Sequence, residues 1–255
     1  MLYISHLLPD GDMRELVETF QVGVECIDFS IADNLDHFSE TLHDYQRRMK
    51  EIGAKNLILH GPFLDLNPAA FDSRIRRVTY ERFAQCYEAG RELGAQKIVY
   101  HSGMDPMVYF QEGWAERVAE FFESFLQDRT DIEVVMENVL DPMWESVKKV
   151  GELVEAKNFG ICLDMGHAHC YSKQPVLTWA KEMQEWIGHV HVHDNDGTKD
   201  AHRALGDGTI PWQEILQTLP RRDGRTWSIE CPNKEDAIKS IERIKAMDKM
   251  REAKL

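Results

Sequence analysis

Short apolar runs rich in β-branched residues recur eight times along this 255-residue chain, each followed by a longer segment with helical spacing. The runs predicted as strands are 2–5, 23–28, 56–60, 97–101, 132–137, 159–164, 189–193 and 226–230. Between them apolar residues fall three and four apart, as in Phe38, Leu42, Tyr45 and Met49, or Val118, Phe121, Phe122 and Phe125. That spacing lines up one face of a helix. Gly53 and Gly94 stand where two of these helices give way to the next strand, a position that favours a left-handed residue. Strands alternating with helices mean βαβ units and a parallel sheet. Eight such units without a glycine-rich dinucleotide loop predict an α/β fold, a closed (β/α)8 TIM barrel. No linker or low-complexity stretch breaks the period, so residues 1–255 are expected to form a single domain. The longest irregular stretches, 61–72 and 194–211, each follow a strand directly.

Composition narrows the partners. Aspartate and glutamate number 44 against 30 lysines and arginines, a formal charge of −14, which repels phosphate backbones and anionic membranes. Six Trp, seven Tyr and eleven Phe exclude a disordered acidic chain. The five cysteines are scattered and form no CxxC pair, so a reduced, cytoplasmic setting is expected. The start carries no basic segment followed by a long apolar run, so no signal peptide is expected. Nowhere do 18 apolar residues run together, and no membrane partner is expected.

The chemistry-bearing side chains collect at strand ends. His60 ends the third predicted strand, His101 the fourth, Glu137 the fifth, Asp164 the sixth and Glu230 the eighth, while His191 lies in the seventh. In a βα barrel these ends converge on one mouth. Any one of them alone reads as a capping or core residue. Six at equivalent positions point to a divalent-metal site, because converging carboxylates need a cation between them. His167 follows Asp164 by three residues, and Asp200 and His202 sit in the long loop after the seventh strand. The Asp-x-His step taken alone signals no more than a solvated turn. Glu25 is placed on the same rim with a structural hydrogen bond to neighbouring loops as its default role. His189 is expected one layer deeper on the ligand side, and His193 is expected to turn to the helix side.

The order HGPF, YHSG, MEN, CLDMGHAH, HVHDNDG, DAHRALGDG and SIECP resembles the xylose isomerase-like TIM-barrel superfamily over essentially the whole chain. That superfamily contains divalent-metal sugar isomerases and epimerases, inosose dehydratase-type lyases and the endonuclease IV family of abasic-site DNA repair enzymes. In the isomerase and epimerase branch, the resemblance implies one metal held by Glu137, Asp164, His191 and Glu230. It also implies that the two glutamates serve as acid and base and that His167 contacts substrate. In the endonuclease IV branch it implies three Zn2+ held by His60, His101, Glu137, Asp164, His167, His191, Asp200, His202 and Glu230. All nine are present, so ligand identity does not choose between the branches.

Loop charge and loop texture separate them. Asp10, Asp12, Asp28, Asp33, Asp36, Asp105 and Glu112 make the predicted mouth acidic, whereas the DNA-binding branch implies basic and aromatic insertions there. Arg74, Arg76 and Arg77 fit a helix start. The segment from HGPFLDLNP into the following helix, and the HVHDNDG to DAHRALGDGTIPW loop, look closer to the sugar branch. The expected function is therefore metal-dependent isomerisation or epimerisation of a small-molecule sugar or sugar phosphate through an enediolate, with Mn2+, Mg2+ or Zn2+ and without nucleic acid. The alternatives are an endonuclease IV-like phosphodiesterase and an inosose dehydratase-like lyase. A homo-oligomer is allowed. Lys199 and Arg203 are candidates to meet a sugar phosphate, or else solvated loop charges. Phe63, Tyr109, Trp114 and Trp212 are candidates to stack on a sugar face, or else core aromatics.

Overall fold

The computed structural model describes residues 1–221 and 224–252. Its strands are β1 (Leu2–Ser5), β2 (Gly23–Cys26), β3 (Leu57–His60), β4 (Lys97–His101), β5 (Glu133–Glu137), β6 (Phe159–Asp164), β7 (Ile187–Val192) and β8 (Thr226–Ile229). All pair in parallel in sequence order, and β8 returns to β1 to close the barrel. The described helices are α1 (Asp10–Phe20), α2 (Ala32–Asp36), α3 (Phe38–Ile52), α4 (Ser73–Leu93), α5 (Trp114–Leu126), α6 (Trp144–Leu153), α7 (Met165–Tyr171), α8 (Val176–Glu182), α9 (Trp212–Thr218) and α10 (Lys234–Glu252). This is the expected (β/α)8 TIM barrel, with strands within two residues of their predicted ends. Among the described residues no helix is long and apolar enough to cross a membrane.

The strands are apolar on both faces because helices cover one and the barrel interior the other. Ile4, Val24, Leu59, Ile98, Val134, Leu163, Val190 and Trp227 point outward and join the helices in one large core. Their neighbours Tyr3, Ile58, Val99, Val135 and Cys162 point inward and form a separate small cluster that plugs the barrel. At the floor Lys97 is buried, its ammonium 2.8 Å from Glu133 and donating to the carbonyls of Gly188 and Gly224. Lys97 and Glu133 thus mark the floor of the barrel, and the upper end holds the site.

Helix punctuation follows the sequence. Gly53 and Gly94 close α3 and α4 at φ +77° and +68°, where a Cβ would be strained. Asp72 caps α4 by accepting from the Arg74 N–H at 2.7 Å, so the arginines that follow lie on an exposed helix. Between β6 and β7 the register shifts, Ile161 facing Ile187 while Cys162 faces His189. The extra residue is Gly188. This shift sets His191 directly opposite Asp164. Besides the two expected long loops, residues 102–113 after β4 are also free of regular structure.

Candidate functional site

All nine predicted side chains meet at the C-terminal mouth. Glu137, at the end of β5, is buried among four imidazoles: His60 Nε2 at 3.3 Å, His101 Nε2 at 3.4 Å, His167 Nδ1 at 3.2 Å and His191 Nδ1 at 3.3 Å. Asp164 ends β6 and caps α7, accepting from the His167 N–H at 2.7 Å. Its carboxylate lies 3.8 Å from His191 Nδ1, and Glu230, just past β8, lies 3.6 Å from the same nitrogen. On the far side Asp200 accepts from His202 Nε2 at 2.8 Å and stands 3.3 Å from His167 Nε2.

Most of these imidazoles are oriented from behind. His60, His167 and His202 donate Nδ1–H to the carbonyls of Gly61, Asn138 and Glu230 at 2.9, 3.1 and 2.9 Å. Each therefore turns Nε2 toward the carboxylates, the arrangement that fixes a metal-ligating histidine. His202 holds its ring there from a left-handed backbone, φ +45°. Buried Glu137 Oε2, His191 Nδ1, His193 Nδ1 and Asp200 Oδ1 have no hydrogen-bond partner. Orphaned acceptors concentrated at one mouth are costly unless something satisfies them. The donor set of carboxylates and imidazole nitrogens fits a divalent cation. Among the described residues, His60, His101 and Glu137 bring ligand atoms within 4.8 Å of one another, as do His167, Asp200 and His202.

The electrostatics agree. Burial alone would raise the Glu137 carboxyl, but the charge of His191 and a hydrogen bond from His167 hold it well below the usual range. Glu230 is pushed up, by burial and by Glu137, Glu25 and Asp164, against the pull of His191. Burial would lower His202, yet the Asp200 hydrogen bond and nearby carboxylates bring it up to about 9. His101, with burial dominant, is lowered to about 3. Without a metal, protons on His167, His191 and His202, all pushed up by neighbouring carboxylates, balance the negative charge. The same negative potential attracts a cation.

Several sequence expectations are corrected. His193 does not face the helices. It follows His191 by two residues, and positions i and i+2 share a strand face, so it turns into the site with Nε2 3.1 Å from both Asp164 oxygens. Glu25 makes structural hydrogen bonds, but not to rim loops; it lies inside the barrel against His189, His191 and Ser228. Of the aromatic candidates, Trp114 is fully buried and Trp212 nearly so, and Tyr109 stacks on Phe71. Phe63 stacks on His101 with ring centres 4.3 Å apart and lines the mouth. Arg203 is paired with Asp196 at 2.8 Å. Much of the acidity read at the rim is neutralised in place: Arg48 pairs Asp10 and Asp28, Arg82 pairs Asp36, and Lys234 pairs Asp12.

Asn138 went unremarked in the sequence beyond its place in the MEN motif. Its side chain bonds both backbone groups of Asp164, accepting at 3.0 Å and donating at 3.1 Å, and so pins the end of β6 to that of β5.

The chain is 31% identical to an uncharacterized protein of Methanocaldococcus jannaschii, MJ1311, over 84% of this chain and 78% of the relative. It superposes on a solved D-tagatose 3-epimerase-like protein with a TM-score of 0.82 at 25% identity, covering 99% of this chain and 98% of that one. Endonuclease IV from Thermus thermophilus shares the fold at a TM-score of 0.66 and 18% identity, over 98% of both chains. Residues 17–247 match the family model of the xylose isomerase-like TIM barrel, and the chain belongs to that family.

Proposed function

We propose that this chain is a divalent-metal-dependent isomerase or epimerase of a sugar or sugar phosphate. The observation that carries the reading is the convergence of Glu137, Asp164 and Glu230 on the unpartnered Nδ1 of His191. These four residues would hold the metal. Three carboxylates and one imidazole suit Mn2+ or Mg2+, and recruitment of the other histidines would favour Zn2+. When bound, such a cation polarises a carbonyl and stabilises negative charge developing beside it.

The chain's own residues supply the proton transfer. Glu137 and Glu230 approach the same imidazole nitrogen from β5 and from the end of β8, so a substrate held over that nitrogen lies between two carboxylates. Glu137 takes the proton from the carbon next to the carbonyl, giving an enediolate, and Glu230 returns a proton at another position or face. His167, at the start of α7, would meet a substrate hydroxyl. Phe63 offers an apolar ring face to the sugar. The likeness to a D-tagatose 3-epimerase-like protein supports a sugar as substrate.

A second reading, zinc-dependent cleavage of DNA at abasic sites, is favoured by the two further ligand groups, His60–His101–Glu137 and His167–Asp200–His202. One paired assay separates the two. Protein loaded with Mn2+, Mg2+ or Zn2+ is incubated with a panel of ketoses, aldoses and their phosphates, and in parallel with an abasic-site duplex. Formation of an isomer or epimer with the duplex left intact is expected. Duplex cleavage by zinc-loaded protein that converts no sugar overturns the proposal.

A further inference from the structure

Beneath the cluster lies a buried carboxylate that the proton transfer leaves unused. Glu25, in β2, receives three hydrogen bonds. Oε1 lies 2.9 Å from His191 Nε2, while Oε2 lies 3.1 Å from His189 Nε2 and accepts from the Ser228 hydroxyl. Glu25, His189, His191 and Ser228 are all fully buried. His189 uses its other nitrogen, Nδ1, to accept from the Thr226 hydroxyl at 2.6 Å, so its proton is on Nε2 and is given to Glu25. An ionised carboxylate only accepts, so His191 also carries a proton on Nε2. Its Nδ1, left without a hydrogen-bond partner, faces Glu137, Asp164 and Glu230. His191 is thus turned opposite to His60, His167 and His202, which give Nδ1–H to carbonyls and present Nε2.

We propose that Glu25 is the positioning residue of the site: it holds the proton of His191 on Nε2 and presents the Nδ1 lone pair to a divalent cation. The proposal rests on the metal reading above. A carboxylate behind a ligating imidazole fixes its tautomer and raises its basicity, which a backbone carbonyl does less strongly. The substitution Glu25→Gln isolates this role. Two donors, His189 and Ser228, converge on the Oε2 position, so the amide oxygen goes there and the amide nitrogen takes the Oε1 position. That nitrogen donates toward His191 Nε2 and drives the His191 proton onto Nδ1, where it points at the cation seat.

The test uses the full-length, metal-free protein. Wild type and E25Q are titrated with Mn2+ and with Zn2+, and the histidine nitrogens of both are read by 15N NMR. Wild type is expected to keep His191 Nε2 protonated with and without Zn2+. E25Q is expected to fold, to carry the His191 proton on Nδ1, and to bind both ions about 10- to 100-fold more weakly. A purely structural Glu25 changes thermal stability and leaves the tautomer alone. Metal affinity in E25Q within about twofold of wild type, or an unprotonated His191 Nε2 in wild type, overturns the proposal. The wild-type spectrum decides the matter by itself if E25Q does not fold. Wild type that takes up neither ion contradicts the metal reading whatever the tautomer, which separates that failure from a failure of Glu25's role.

Discussion

The Nε2 of His193 lies 3.1 Å from both carboxylate oxygens of Asp164. Its ring also lies parallel to that of His202 at 3.8 Å, so one imidazole ties the end of β6 to the loop carrying Asp200 and His202. The ring fits because residue 166 has no side chain. A Cβ there would collide with His193 Cε1, and His193 is fully buried with no room to retreat. Gly166→Ala is therefore expected to displace the ring from Asp164, costing about 1–3 kcal/mol through overpacking and weakening divalent-ion binding. Thermal melts with and without Mn2+ check this. An unchanged melt and unchanged ion affinity would show that His193 does not organise the site.

Metal binding should appear as stability. An ion that binds only the folded chain adds about 2.7 kcal/mol at roughly 100 times its Kd, which for a chain of this size raises Tm by about 5–10 °C. Glu137 touches four imidazoles and is the hub of the cluster. Glu137→Gln should abolish most of that rise and weaken the ion by at least about 100-fold. Wild type and variant are compared by differential scanning calorimetry before and after chelation. A rise in E137Q equal to that of wild type removes Glu137 from the metal site.

Asp141, in the loop after β5, gives a pH signature of its own. It is buried, accepts from the Ser102 hydroxyl at 2.7 Å and the Val139 N–H at 2.9 Å, and is pushed by burial up to about 6. In the unfolded chain an aspartate titrates near 3.9, so the fold binds this proton more tightly. Stability from the group is complete below about pH 4 and is lost as pH rises through about 6, a change of up to about 3 kcal/mol. Asp141→Asn keeps the shape and removes the titration. Its stability relative to wild type should rise between about pH 4 and pH 7, measured by urea unfolding at each pH. A difference that stays constant across that interval contradicts the assignment.

The barrel and the position of the site were legible because both follow from period. Alternating strands and helices fix the architecture, and a barrel sends every strand end to one mouth, so His60, His101, Glu137 and Asp164 could be placed by counting. What was hidden depends on side-chain direction and on partners distant in sequence. The two-residue spacing in HVHVH carries His193 inward with His189 and His191, against the expected helix-side direction. Glu25 looked like a rim residue because nothing local shows that it bonds His189 and His191, more than 160 residues away. The acidic loops looked unpaired because Arg48, which neutralises Asp10 and Asp28, comes from α3.

The central claim is that Glu137 and a cation on Glu137, Asp164, His191 and Glu230 together make a carbon–hydrogen bond acidic. The most direct measurement incubates metal-loaded wild type, metal-stripped wild type and E137Q in D2O with ketopentoses, ketohexoses and their phosphates, following deuterium uptake by NMR. Deuterium entering the carbon next to the carbonyl with loaded wild type, and slowed about 100-fold or more by chelation or by E137Q, is the predicted result. Uptake that persists after chelation, or a loaded wild type that exchanges no C–H bond in any of these sugars, would contradict it.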